Sequence, residues 1–249
     1  MSEQNFSRSA ASLLFDYRCM GCGLWDCPLC ESCALSLAGP MKNVRAIPPA
    51  LRSEVPVWTM GEYAGPLRSM IVSWKNGARM DAGQVLMDAS CRLLPPVPRL
   101  LNDATPPPHQ LAIVPAPSGF VRSWRGLFVV GLFSDCLART LGNHVKTEHH
   151  DTLCRSVTAS EIVSAHVLRR RGGPAHQRGS GLRDRQRNRS HRLRCVADLR
   201  DWDVVICDDV VTTGATAQAC IDSVTGAGGR VRAVVALAHV PAIGRGRDE

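Results

Sequence analysis

Aromatic side chains are scarce in this chain, with 5 Phe, 5 Trp and 2 Tyr among 249 residues. Proteins that grip single-stranded nucleic acid usually stack its bases on aromatic rings, so this scarcity weighs against a dedicated base-stacking surface. Long apolar runs are missing too. No segment approaches the roughly 18 consecutive apolar residues of a membrane-spanning helix. The opening stretch, MSEQNFSRSAASLLFDYRC, lacks the apolar region and cleavage pattern of a secretory leader, so the chain is expected in the cytoplasm. There the 11 cysteines point to metal binding and burial, not disulfides. A general excess of positive charge is also absent. The formal net charge is +8, but the tract from Arg169 to Arg194 alone carries ten arginines and one aspartate, a net of +9, so the remainder sums to −1.

Among the features present, five cysteines crowd into CMGCGLWDCPLCESC, at Cys19, Cys22, Cys27, Cys30 and Cys33. Two thiolates two residues apart reach one ion from a single tight turn, and two such turns close a tetrahedral zinc site. Cys19 and Cys22 form one pair. The other is either Cys27 with Cys30 or Cys30 with Cys33, and the spacing favours the latter because seven intervening residues let the chain reverse. Four thiolates leave no open position on the ion, so the expected role is structural.

The stretch VVICDDVVTTGAT, Val204 to Thr216, is a short apolar run followed by two carboxylates and a small polar turn. It predicts a strand buried on both faces, with Asp208 and Asp209 at its carboxyl end. The next residues, GATAQACIDSVTGAGG, predict a helix with Ala215, Ala219 and Val224 toward the sheet. Ligands of open α/β sheets bind beyond the carboxyl ends of strands, and amides at a helix start favour anions. Thr212, Thr213, Gly214, Ala215 and Thr216 are therefore candidates for a phosphate cradle. Asp208 and Asp209 are candidates to accept hydrogen bonds from two sugar hydroxyls.

Earlier in the chain, Leu67, Met70, Ile71 and Trp74 lie at helical spacing behind Pro66, and a second helix follows to Leu94. Lys75 lies just past the packed stripe, within reach of a bound phosphate, but is expected in solvent. The proline-rich stretch PPVPRLLNDATPPPHQ marks a linker or surface loop. After it, Leu111 to Val114 predicts a buried strand, and Leu127, Val130, Phe133, Leu137 and Leu141 predict a helix containing a buried Cys136. Between the two, Arg122 and Arg125 stand where a pyrophosphate can be clamped. His149, His150 and Asp151 invite a metal reading but are expected to be solvated, because adjacent histidines on an irregular segment seldom converge on one ion. His239 is expected to be an ordinary strand-end histidine in preference to one lining the cleft. The Arg169 to Arg194 tract cannot fold alone on composition. It suits a lid over a polyphosphate, a contact to nucleic acid phosphates, or a solvated insertion.

The stretch CDDVVTTGAT resembles the phosphoribosyl pyrophosphate loop of type I phosphoribosyltransferases. Together with the CxxC module, GEYAGPLRSMIVSWK, VPAPSG and the arginine-rich segment, it makes the chain similar to the ComF-type competence and GntX-type family of phosphoribosyltransferase-like proteins, from about Cys19 to Val240. The resemblance implies an α/β type I phosphoribosyltransferase fold, a parallel sheet flanked by helices, with a small N-terminal four-cysteine zinc module. It divides the chain into a zinc module (1–40), a helical segment with linker (41–105) and a phosphoribosyltransferase-like domain (106–249). It implies that Asp208 and Asp209 bind the ribose hydroxyls and that Thr212 to Thr216 bind the 5′-phosphate. Magnesium would accompany phosphoribosyl pyrophosphate, and the acceptor would be a nitrogen nucleophile. The family's leucine-cysteine-x-x-cysteine stretch corresponds to LCESC, which again favours Cys30 with Cys33. The family also implies a second reading, a competence protein that handles single-stranded DNA through the arginine tract beside partner proteins. The sequence departs from the family at Ser190, where asparagine is expected, and in a longer stretch before the tract.

Overall fold

A computed structural model describes residues 18–44, 50–76, 80–94, 110–117, 129–148, 161–170 and 193–241. A short helix α1 (Glu31–Leu35) follows the cysteine-rich turn, and strands β1 (Lys42–Asn43) and β2 (Val57–Glu62) come next. Helices α2 (Gly65–Lys75) and α3 (Met80–Leu93) precede β3 (Gln110–Pro115), α4 (Val129–Glu148), β4 (Glu161–Ser164), β5 (Leu168–Arg170) and β6 (Leu193–Cys195). The final described elements are β7 (Asp203–Val211), α5 (Ala215–Thr225) and β8 (Arg230–His239). The main sheet has the order β1-β2-β8-β7-β3-β4, and β5 pairs with β6 in a separate ribbon. Among the described strands of the main sheet, only β1 runs antiparallel to its neighbour. The molecule is thus an α/β protein built on a mostly parallel sheet.

Parallel strands need covering on both faces, and the sequence supplies two sets of apolar positions to do so. Along β3, Leu111 and Ile113 point to one face while Ala112 and Val114 point to the other. Along β7, Val205 and Cys207 alternate with Val204 and Ile206 in the same way. The first face packs against α2, α3 and α4 through Met70, Ile71, Trp74, Leu86, Phe133 and Leu137. The second packs against α5 through Ala217, Cys220, Ile221 and Val224.

Helix α2 begins with Pro66 in its first turn, where the missing N–H costs nothing, and buries Leu67, Met70, Ile71 and Trp74. Its contact with α3 is close. A Cβ added at Gly83 would lie 2.2 Å from Trp74 Nε1, so only glycine admits the indole there. The cysteine-rich turn joins the same body, since Met20, Leu37 and Met41 belong to the core that contains α2 and α3. Gly21 is held by the same packing, because a Cβ there would meet Cys33 Sγ at 2.6 Å and Pro66 Cβ at 3.0 Å.

Candidate functional site

In the cysteine-rich turn, the Sγ atoms of Cys19, Cys22, Cys30 and Cys33 all lie within 4.8 Å of one another. Cys22 Sγ and Cys30 Sγ are 3.6 Å apart. Four sulfurs about 2.3 Å from a tetrahedral zinc stand roughly 3.8 Å from each other, so the donor set and its spacing fit such an ion. The turn is shaped for this convergence. The Cys19 N–H donates to the Leu24 carbonyl, the Gly23 N–H donates back to the Cys19 carbonyl, and Gly23 takes the left-handed φ of 79° that closes the loop. On the other side, Cys30 caps α1, its N–H donates to Cys19 Sγ at 3.4 Å, and Cys33 is buried within the helix. Burial tends to raise the Cys19 thiol, but the N–H groups of Cys30, Cys22 and Gly21 outweigh it and bring the thiol down to about 6. Burial drives Cys33 the other way, reinforced by its thiol neighbours. Cys27 is outside the group, with its Sγ 3.9 Å from the Leu24 carbonyl.

The second constellation sits at the carboxyl edge of the sheet. Strand β7 runs out at Val211, and Thr212 and Thr213 turn the chain into α5. Gly214 precedes the helix at φ 73°, a left-handed conformation that a side chain would strain, and this aims the first turn of α5 back along the strand. That turn leaves backbone N–H groups without intrahelical acceptors, the usual anion-binding arrangement. Ala215 N–H meets Thr213 Oγ1, at 3.4 Å. Asp208, Val211, Thr212, Gly214, Thr216 and Ala217 line a small crevice at this point.

The two carboxylates leave β7 on opposite faces, as alternation along a strand requires. Asp208 borders the crevice on the α5 side and accepts the Asp209 N–H at 2.8 Å. Burial first, then the neighbouring Asp209 charge, push its carboxyl up to about 8. Asp209 faces α2, where its Oδ2 meets Lys75 Nζ at 2.8 Å. Lys75 is therefore not the solvated lysine its position suggested. The two side chains are only 16% and 17% exposed. Its signal was present in the sequence, since Leu67, Ile71 and Lys75 follow one another at intervals of four and share one edge of the helix.

Other expectations fare unevenly. The His239 ring is tied to the buried Thr59, with Nδ1 2.9 Å from Oγ1, and so is more constrained than an ordinary strand-end histidine. Ala215 is partly exposed at the helix start, while Ala219 and Val224 are buried. Cys136 is half-buried, its Sγ 2.8 Å from Cys91 Sγ. Arg122, Arg125, His149, His150, Asp151 and residues 171–192 of the arginine tract lie outside the described residues. The described ends of the tract form the β5–β6 ribbon, and Arg170 Nη2 donates to the Pro117 carbonyl at 3.2 Å, beside the VPAPSG turn. A larger cavity of about 790 Å³, lined by Arg194, Asp198, Arg200, Ser223 and Thr225, opens at the opposite edge of the sheet, away from Asp208 and Asp209. Among the described residues, no helix is long and apolar enough to cross a membrane.

No protein-family model matches the chain, and no curated protein matches it significantly. Solved structures similar to it include adenine phosphoribosyltransferase from Saccharomyces cerevisiae, at 12% identity and a TM-score of 0.36 over 85% of this chain and 90% of that one. The adenine phosphoribosyltransferase of Thermoanaerobacter pseudethanolicus matches at 15% identity and a TM-score of 0.34, over 84% of this chain and 87% of that one.

Proposed function

We propose that this chain is a phosphoribosyltransferase-like protein of the ComF and GntX type, which binds phosphoribosyl pyrophosphate and transfers its phosphoribosyl group to a nitrogen acceptor. The observation that carries this reading is the order of groups at the carboxyl edge of β7. Two carboxylates, a hydroxyl-bearing turn, a left-handed Gly214 and a helix start follow one another within nine residues, Asp208 to Thr216. Each supplies a different part of one ligand. The first-turn amides of α5, with the Thr212, Thr213 and Thr216 hydroxyls, take the 5′-phosphate. Asp208 and Asp209, one on either face of the strand end, bracket the ribose and accept its 2′ and 3′ hydroxyls. Arg122 and Arg125 are assigned to the pyrophosphate.

A ribose fixed at both ends loses pyrophosphate through an oxocarbenium-like transition state, as glycosyl transfers commonly do. Magnesium, when bound with the ligand, neutralises the leaving pyrophosphate. The chain's own contribution is to hold the sugar, orient its anomeric carbon toward the acceptor and limit water at that carbon. Zinc is assigned to Cys19, Cys22, Cys30 and Cys33 as a structural ion.

The test is isothermal titration of the zinc-loaded protein with phosphoribosyl pyrophosphate and magnesium, comparing wild type with Asp208→Asn, Asp209→Asn. Saturable binding in wild type that weakens at least tenfold in the double variant is expected. Equal affinity in the two proteins would remove the acidic pair from the site, and no binding by folded wild type would end the phosphoribosyl reading.

A further inference from the structure

The two carboxylates of the acidic pair are tethered differently. Asp208 is held by the main chain, through the Asp209 N–H, whereas Asp209 is held by a side chain that arrives from another element, Lys75 at the last residue of α2. We propose that Lys75 is a positioning residue of the phosphoribosyl site, fixing the Asp209 carboxylate through Oδ2 so that Oδ1 is presented to the sugar. This inference rests on the phosphoribosyl reading above and deepens it.

Three observations support it. First, the pair lies at 2.8 Å with both side chains mostly withdrawn from water, where an ion pair is screened less than on the surface. It is a bond that can set a rotamer. Second, the backbone carrying Lys75 has little freedom. Trp74, its immediate neighbour, is 1% exposed and pressed against Gly83, and the Leu67, Met70 and Ile71 face is buried behind it. A lysine on a frayed helix end would not fix anything, but this one projects from a packed turn. Third, an unpaired carboxylate beside a ligand that carries phosphates at both ends would repel it, and Lys75 neutralises the Asp209 charge. Among the described residues, Asp209 is the ion-pair partner of the Lys75 ammonium.

The role differs from direct ligand binding, and a thermodynamic cycle separates the two. Affinity for phosphoribosyl pyrophosphate with magnesium would be measured for wild type, Lys75→Met, Asp209→Asn, Asp208→Asn and the two double variants that contain Lys75→Met. Weak complexes would be read from phosphorus NMR of the ligand. If Lys75 acts through Asp209, Lys75→Met costs about tenfold in wild type and about tenfold again in the Asp208→Asn background, but under twofold once Asp209 is Asn. Lys75→Arg, which keeps the charge, is expected to recover part of the loss. A tenfold loss in the Asp209→Asn background as well would show that Lys75 works independently of Asp209 and overturn the proposal. So would wild-type affinity in Lys75→Met, which leaves the phosphoribosyl reading standing. Absence of binding by wild type removes that reading and this inference together, so the two failures are distinct.

Discussion

Asp208 is the residue whose chemistry depends most on where it sits. Its carboxyl titrates near 8 in the folded protein, against an ordinary value of 3.8, with burial as the larger cause and the Asp209 charge as the second. The folded form thus keeps a proton that the unfolded chain releases over this interval. Stability contributed by Asp208 is fully present below about pH 4 and is lost as pH rises through about 8. Asp208→Asn is expected to flatten that decline, leaving the variant more stable than wild type near pH 9, while the two converge near pH 4. Urea denaturation at both pH values checks this, and parallel curves for the two proteins would assign the decline to other groups. Such a residue lowers stability at neutral pH, as groups placed for binding often do. The sequence showed the acidic pair and the turn after it because both depend on local chemistry: a buried strand, small hydroxyl residues and a glycine. The Asp209 partner was harder to see, since Lys75 and Asp209 are brought together only by the packing of α2 against the sheet.

At the scale of elements, the hinge of the arrangement is the contact between α2 and α3. Gly83→Ala places a methyl group inside the volume of the Trp74 indole, and an overpacked contact of this kind costs roughly 1–3 kcal/mol. The expected result is a lower urea midpoint with an unchanged slope, measured by Trp fluorescence. A midpoint within error of wild type would show that the helices separate without cost. Which elements were legible follows from their patterns. The apolar run before Asp208 predicted β7, and the helical spacing of Leu67, Met70, Ile71 and Trp74 predicted α2. Strand β2 was not legible: Val57, Trp58, Thr59 and Met60 are all buried, so no alternation marks it, and it is defined by pairing with β8. The β5–β6 ribbon was hidden for the opposite reason. Leu168 is buried, but Arg169, Arg170 and Arg194 are exposed, and their composition resembles a loop.

At the scale of the whole molecule, the cysteine turn and the sheet share one core. Met20, Leu37 and Met41 pack with the α2 and α3 side chains, and Gly21 abuts both Cys33 and the start of α2. Loss of the zinc proposed for this turn is therefore expected to weaken more than the turn itself. Treatment with a strong chelator, or Cys19→Ser with Cys30→Ser, should remove about one zinc per chain and lower the thermal midpoint by on the order of 5–10 °C. Elemental analysis and a melting curve test this together. Full zinc content in the double variant would reject the ligand set, and an unchanged midpoint after the ion is lost would show that the turn is thermally independent of the core.

The sheet order also governs how the chain can be made. Strand β8 is the last described strand in the sequence, yet it lies between β2 and β7, pairing Val57 with Val234 on one side and Asp208 with Ala236 on the other. During synthesis, β2 leaves the ribosome early and must wait with an unpaired edge until nearly the entire described chain has followed. The sheet can then join its two halves only in a late, long-range step, the kind of pairing that is slow and leaves an open strand edge exposed to aggregation while the chain grows.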